Sequence, residues 1–388
     1  MANKPLKVLS IFGTRPEAIK MAPLVKELEK EPVLESVVAV SAQHREMLSQ
    51  VLGLFDITPD YNLDIMKDRQ TLSDITTSVL NGLDTVIKKE NPDLALVHGD
   101  TTTTFVGALS AFYNKTSVGH VEAGLRTGDR YTPFPEEMNR RLVSEISELN
   151  FAPTRGTLEN LLNEGIKRDN IFVTGNTVID AIKTSVADEY LFKNNEINCI
   201  LEDPIVKNKK VIVIEAHRRE NWGKPMEEIC LAVKELVNKY EDFVVVFPVH
   251  PNPAVKETVD RVLKNLPRVF LISPLDMRDF HNLLNKSYLI LTDSGGIQEE
   301  APSLGVPVVV LREKTERPEA LKAGTVILAG TDKEKILSTT EKLINDREYY
   351  ERISKVENPY GDGKASKRII EAIKFYFEIT NKEPPEWL

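Results

Sequence analysis

Cysteine is nearly absent: the 388 residues contain two, Cys199 and Cys230, in no C-x-x-C arrangement. That excludes a disulfide-stapled fold and leads us to expect a reducing, cytoplasmic setting with both thiols acting as small buried hydrophobes. Histidine is sparse too. The six histidines never form H-E-x-x-H or another metal spacing, so no metal is expected. Excess positive charge is missing as well. A formal net charge of -9 argues against nucleic acid or an anionic membrane as the main partner, since both need a dominant basic face. No apolar run approaches the roughly 20 residues of a membrane span. No basic-then-apolar leader opens the chain either; 4–12 reads as a buried strand. Finally, no G-x-G-x-x-G turn follows a strand, which counts against a dinucleotide cofactor.

What is present is a repeated strand–loop–helix pattern. The length exceeds what one hydrophobic core usually supports, so two domains are expected. Short runs rich in Val, Ile and Leu stand at 6–12, 37–40, 94–98, 118–121 and 150–152, then at 210–214, 243–249, 269–272, 288–292 and 306–311. Near-continuous apolar runs suit strands covered on both faces, hence parallel sheets. Leu142, Ile146 and Leu149 read as one helical face, and 364–378 reads as a helix with Ile369, Ile370, Ile373 and Phe377 together. The polar stretch 188–210 has no period and reads as a surface connection. The expected architecture is two doubly wound, Rossmann-like α/β domains, 1–180 and 181–369, with a cleft between them and a C-terminal helix, 370–388, packed back on the first.

In such sheets ligands lie beyond the carboxyl ends of the strands. Thr292-Asp293-Ser294-Gly295-Gly296 ends one strand and opens a helix, so backbone N–H groups and the Ser294 hydroxyl could hold an anion. Glu300 lies one turn in, where it could accept from ribose hydroxyls; a glycine turn capping a helix explains the same letters. Gly361-Asp362-Gly363-Lys364 is better read as a turn into the last helix than as a phosphate loop, because Asn358 stands where that loop needs glycine. Gly13-Thr14-Arg15 ends the first strand, with Lys20 just over one turn later. Glu215-Ala216-His217-Arg218-Arg219 ends another, a run of cationic groups that a phosphate would reconcile. Carboxylates gather in the first half: Asp100 and Glu122 end neighbouring strands, and Glu136 shares a helix face with Arg140. Converging carboxylates raise one another's pKa and become usable acids and bases; the plainer alternative is ion pairing with Arg126 or Arg140.

Taken in order, these segments and Thr315-Glu316-Arg317-Pro318-Glu319 resemble the non-hydrolysing UDP-N-acetylglucosamine 2-epimerases over nearly the whole chain. The resemblance implies the two-domain glycosyltransferase-B fold, a homodimer, and no metal or nicotinamide cofactor. It also implies a reaction in which UDP-GlcNAc loses UDP by anti elimination and regains it as UDP-ManNAc, with a 2-acetamidoglucal between. By that resemblance Asp100, Glu122, Glu136 and His217 are catalytic, and the first domain carries the acid/base groups. Arg15, Lys20, Leu275, Ser294, Gly295, Gly296, Glu300 and Arg317 bind UDP or the sugar, and Gln43, Arg69, Arg218 and His250 match an allosteric substrate site. Two letters depart from the family pattern. Glu46 stands where regulated members carry Gln, and Glu215 stands where Thr is usual, as an extra carboxylate that could weaken phosphate binding or pair with a neighbouring Arg. The rival readings are an epimerase of another UDP-sugar of the diacetamido-glucuronate kind, a hydrolysing epimerase, a glycosyltransferase, and a non-catalytic UDP-sugar sensor.

Overall fold

The computed structural model describes residues 4–42, 45–67 and 69–387. The chain forms two compact units, the first of residues 1–181 and 361–388, the second of 182–360. The first holds seven parallel strands: β1 (Leu6–Phe12), β2 (Leu34–Val40), β3 (Tyr61–Asn62), β4 (Leu94–His98), β5 (Ser117–Val121), β6 (Leu149–Ala152) and β7 (Ile171–Val173). Their spatial order is β3-β2-β1-β4-β5-β6-β7. The second holds β8 (Lys210–Glu215), β9 (Phe243–Pro248), β10 (Val269–Ile272), β11 (Leu289–Thr292), β12 (Val308–Val310) and β13 (Val326–Leu328), ordered β10-β9-β8-β11-β12-β13.

Every residue of β4 and β9 is buried, as strands covered by helices on both faces require. Around the second sheet the core is aliphatic, with Ile212, Ile229, Val245, Leu289 and Leu291 almost fully enclosed. In each unit the strand order reverses once, between β1 and β4 and between β8 and β11. Such a reversal sends the flanking crossovers to opposite faces and opens a crevice at the strands' carboxyl ends.

Several boundaries differ from the sequence reading for physical reasons. The stretch 188–210 contains a helix, Asn195–Glu202, whose first turn is capped by the Asn194 side chain and which buries Ile197 and Ile200. The final helix is Ala365–Tyr376, and residues 381–387 are not helical; Pro384 and Pro385 cannot continue a helix. The return to the first unit comes at Gly361, ahead of 369/370. Asp180 fixes it there by accepting from the N–H groups of Ala365 (3.1 Å) and Ser366 (2.8 Å). Leu142 is 40% exposed and Leu149 opens β6, so of that expected face Ile146 alone packs on the core from the helix Glu136–Ile146, which buries Glu137, Asn139, Arg140, Val143 and Ser144. Cys230 is buried, but Cys199 is exposed. Among the described residues no helix is long and apolar enough to cross a membrane.

Gly124 shows how tightly the loop after β5 is built. Its φ is +90°, and a Cβ would stand 2.3 Å from the Thr157 carbonyl oxygen. Gly124→Ala should therefore cost about 2–4 kcal/mol, combining left-handed strain with a backbone clash. Urea unfolding followed at Trp387, in the first unit, measures it; an unchanged midpoint would mean the loop relaxes freely.

Candidate active site

In the first unit the acids and bases gather at the strand ends beside the β1/β4 reversal. Arg15 opens the helix Arg15–Leu28 directly after β1, half-buried, and Lys20 follows one turn on. Buried Glu17 secures this entry. Its carboxylate accepts from the Gly13 (3.1 Å) and Thr14 (2.7 Å) N–H groups and from the hydroxyls of Thr101 (2.8 Å) and Thr104 (3.1 Å). One side chain thus ties the loop after β1 to the loop carrying Asp100.

Asp100 pairs with Arg140 at 2.6 Å, yet burial pushes its carboxyl up to about 6, helped by the charges of Glu122 and Glu136 and opposed by Arg140 and Lys20. The plainer alternative, an ion pair, is present; it does not cancel desolvation. Glu122 follows β5 in left-handed backbone, φ 62°, a conformation costing a non-glycine residue about 1–2 kcal/mol. Its Oε2 receives the Lys20 ammonium and the Asn176 amide (2.9 Å), and His98 Nε2 stands 3.7 Å away. His98 is fully enclosed, and burial holds it down at about 4, so it is neutral beside that carboxylate. Glu136 begins its helix half-buried. Its neighbour Glu137 is wholly buried, accepting from the Thr127 (3.0 Å) and Gly128 (3.3 Å) N–H groups. Arg140 turns to Asp100 and Glu137 rather than to Glu136, and Arg126 is taken by Glu164.

In the second unit the corresponding strand ends, after β8 and β11, collect cations. Asp293, fully enclosed, accepts from the backbone N–H of His217 (3.0 Å) and Arg218 (2.9 Å) and from the Asn221 amide (2.8 Å). That clasp fixes the loop after β8 against the start of the helix Gly295–Glu300. Two guanidinium groups gather over Gly295: a Cβ there would lie in ordinary contact, 3.5 Å from Arg218 Nη2 and 3.7 Å from Arg317 Nη2. Arg317 is held by Glu299, and Gly296 faces Glu300. The Ser294 hydroxyl makes no capping bond to its helix. Glu300 lies 3.3 Å from His281 Nε2, whose Nδ1 is 2.5 Å from the Ser185 hydroxyl. The His217 ring stacks on that of His250, centroids 5.3 Å apart. Leu275 is half-buried between β10 and the helix Met277–Asn285. Side-chain donors of Glu215, His217 and Asp293 come within 4.8 Å of one another, the spacing a cation could use. Asp293 already spends its oxygens on backbone and amide donors, and Glu215 is engaged by His217 Nδ1 and raises that ring's pKa, so this trio reads as a carboxylate–histidine contact beside a loop clasp.

The structure thus brings Lys20, Asp100, Glu122 and Glu136 together in one unit, and His217, Arg218, Ser294, Gly295 and Arg317 in the other. Arg218, assigned from the sequence to an allosteric site, reaches over Gly295. Arg69 is exposed, at φ 57°, and Gln43 lies outside the described residues. Sequence reasoning missed Asn176, which anchors Glu122, and His281, which backs Glu300. A signal existed for the first: Gly175-Asn176-Thr177 follows a short apolar run and opens a helix. His281 lies within a helix and carried none.

A family model described as UDP-N-acetylglucosamine 2-epimerase matches residues 26–374. The UDP-N-acetylglucosamine 2-epimerase of Bacillus subtilis (strain 168) is 54% identical over 381 residues, 98% of each chain. MnaA of S. aureus, solved with UDP, is 50% identical, with a TM-score of 0.86 over 99% of this chain and 100% of its own. The UDP-GlcNAc 2-epimerase of Neisseria meningitidis, solved bound to UDP-GlcNAc, is 51% identical, with a TM-score of 0.82 over 95% of this chain and 99% of its own. Two parallel-sheet α/β domains of the glycosyltransferase-B type, the fold expected from the sequence, are what these likenesses share. Matched by the family model over most of its length and by relatives at 51–54% identity over nearly all of it, this chain belongs to the UDP-N-acetylglucosamine 2-epimerase family of isomerases.

Proposed function

We propose that this chain interconverts UDP-GlcNAc and UDP-ManNAc by eliminating UDP and adding it back. A carboxylate removes the C2 proton, the C1–O bond breaks, and its electron pair leaves on the β-phosphate oxygen, giving 2-acetamidoglucal. A second acid then delivers a proton to the opposite face of C2 while the C1–O bond re-forms. The step is redox-neutral overall. The observation that carries the reading is the pairing of Asp100, raised to about 6, with Glu122 at the ends of adjacent strands. Two carboxyl groups in different environments suit opposite proton-transfer roles. In this reading the Arg218, Arg317, His217 and Ser294–Gly296 groups stabilise the charge that accumulates on departing UDP, Glu300 takes the ribose, and Arg15 and Lys20 add cationic contacts. The same reading takes the enzyme as a cytoplasmic homodimer serving polysaccharide synthesis, with Gln43, Arg69, Arg218 and His250 meeting a second, activating substrate molecule; the sequence resemblance supports these points.

Proton NMR with UDP-GlcNAc in D2O tests the reaction. UDP-ManNAc carrying deuterium at C2, without lasting free sugar, is the expected result. Free ManNAc with UDP would mean a hydrolysing enzyme, and an unchanged spectrum despite UDP binding would mean another UDP-sugar or a sensor. The rate should bend near pH 6, where Asp100 titrates, and Asp100→Asn should abolish that bend along with most of the rate. A bend that survives in the variant would assign it to another group.

A further inference from the structure

The elimination as proposed makes no use of Glu215, the residue that ends β8. Its carboxylate nevertheless has two defined partners. Oε2 accepts from the Thr292 hydroxyl at 2.9 Å, and Oε1 meets His217 Nδ1 at 2.6 Å. Thr292 lies opposite Glu215 in the β8/β11 ladder and is fully enclosed; its own oxygen accepts from the Ser294 N–H at 3.0 Å. A continuous chain of hydrogen bonds therefore runs from the Ser294 backbone through Thr292 and Glu215 to one nitrogen of the His217 ring. It fixes the ring's rotation, and with Nδ1 engaged Nε2 becomes the nitrogen presented to a ligand.

We infer that Glu215 is a positioning residue that holds His217 as an imidazolium, so that a diphosphate oxygen meets a charged Nε2–H donor. This rests on the reading of the second unit as the UDP half of the site. The charges around the ring favour the cation on balance. Glu215 from β8 and Asp293 from the end of β11 stabilise it, Arg218 in the same loop and partial burial oppose it, and His250 after β9 stacks on its face. Hydrogen bonding to Glu215 is the largest influence, and it sets His217 above the ordinary imidazole range. The sign follows directly. A raised midpoint keeps the cation, and its share of phosphate binding, to higher pH than an ordinary imidazole would, and both are lost as pH climbs past that midpoint. Without Glu215, the Asp293 carboxylate remains but is committed to backbone donors, while Arg218 and burial still act. The midpoint should then fall to the ordinary value, about 6.5, or below. The arginine pairing expected for Glu215 from the sequence is not what the structure shows: its partners are His217 and Thr292.

The test is a titration of His217 by NMR of ring-labelled full-length protein, with UDP affinity measured by calorimetry from about pH 5.5 to 9, for wild type, Glu215→Thr and Glu215→Gln. His217→Asn identifies the signal and should flatten the pH dependence of affinity. The expected result is a His217 midpoint lower in both variants than in wild type, with UDP affinity falling further between pH 6 and pH 8 in the variants, by up to about tenfold. Equal midpoints in wild type and variants would overturn the inference. So would a wild-type midpoint at or below the ordinary value, a result that needs no variant to fold. UDP binding requires no turnover, so the two readings fail separately: no UDP binding by wild type at any pH would sink the functional reading, whereas UDP binding with an unmoved His217 would sink this inference alone.

Discussion

Glu122→Gln should lower deuterium exchange at C2 of UDP-GlcNAc by about 10²–10⁴-fold, the usual contribution of a positioned acid or base, and leave UDP affinity nearly unchanged. Gln matches Glu in size, and its carbonyl can still accept from the Asn176 amide, so the loop after β5 keeps one of its anchors. What disappears is a group able to take or give a proton, together with the counter-charge of Lys20. Those two losses separate experimentally. If Glu122 served only to hold Lys20, the defect would sit in substrate affinity, and exchange at saturating substrate would persist. A proton-transfer role puts the defect in kcat and in exchange alike. UDP affinity reports chiefly on His217, Arg218 and Arg317 of the second unit, which the substitution does not touch, with Lys20 a lesser contact, so retained binding also shows that the protein has folded.

Much of this site could be read from the letters because a doubly wound sheet places ligands at strand ends, and strand ends are visible as apolar runs broken by Gly, Asp, Glu or His. Leu94–His98 and Leu289–Thr292 announce Asp100 and Ser294 in that way. The strands that escaped detection are the two-residue β3 and the three-residue β7 and β13, too short to show a period against their flanks. Asn176 escaped with β7. Arg140 was visible as the i+4 partner of Glu136, but helix spacing says only that two side chains share a face. Across the fold Asp100 offers a closer partner, and tertiary geometry decides the pairing. The same holds for His281, whose neighbours Ser185 and Glu300 are remote in sequence. Leu142 shows the converse error, an apolar residue counted inward that the sheet leaves outside.

Asp293→Ala should be the most damaging single change in the second unit, costing about 2–4 kcal/mol of stability and about 10²-fold in UDP affinity. The carboxylate is fully enclosed and accepts from two backbone N–H groups and one amide. Each buried donor left without an acceptor costs about 1–3 kcal/mol. Part of that is offset, because burial disfavours the Asp293 charge and pushes its carboxyl up. Removing the group relieves that desolvation, and water can reach the half-buried His217 and Arg218. The loss in affinity has a different origin. Without the clasp, the loop bearing His217 and Arg218 is no longer tied to the end of β11, and the donors must be ordered by the ligand at its own cost. Trp222 reports on this loop directly, since its indole N–H donates to the His217 carbonyl at 3.2 Å. Urea unfolding followed at Trp222 fluorescence, beside UDP calorimetry, therefore measures both effects in one region. Stability lost with affinity retained would show that the cations over Gly295 are held by Glu299 and the helix alone. Affinity lost with stability retained would show that the clasp exists to preorganise the phosphate donors and contributes little to the fold.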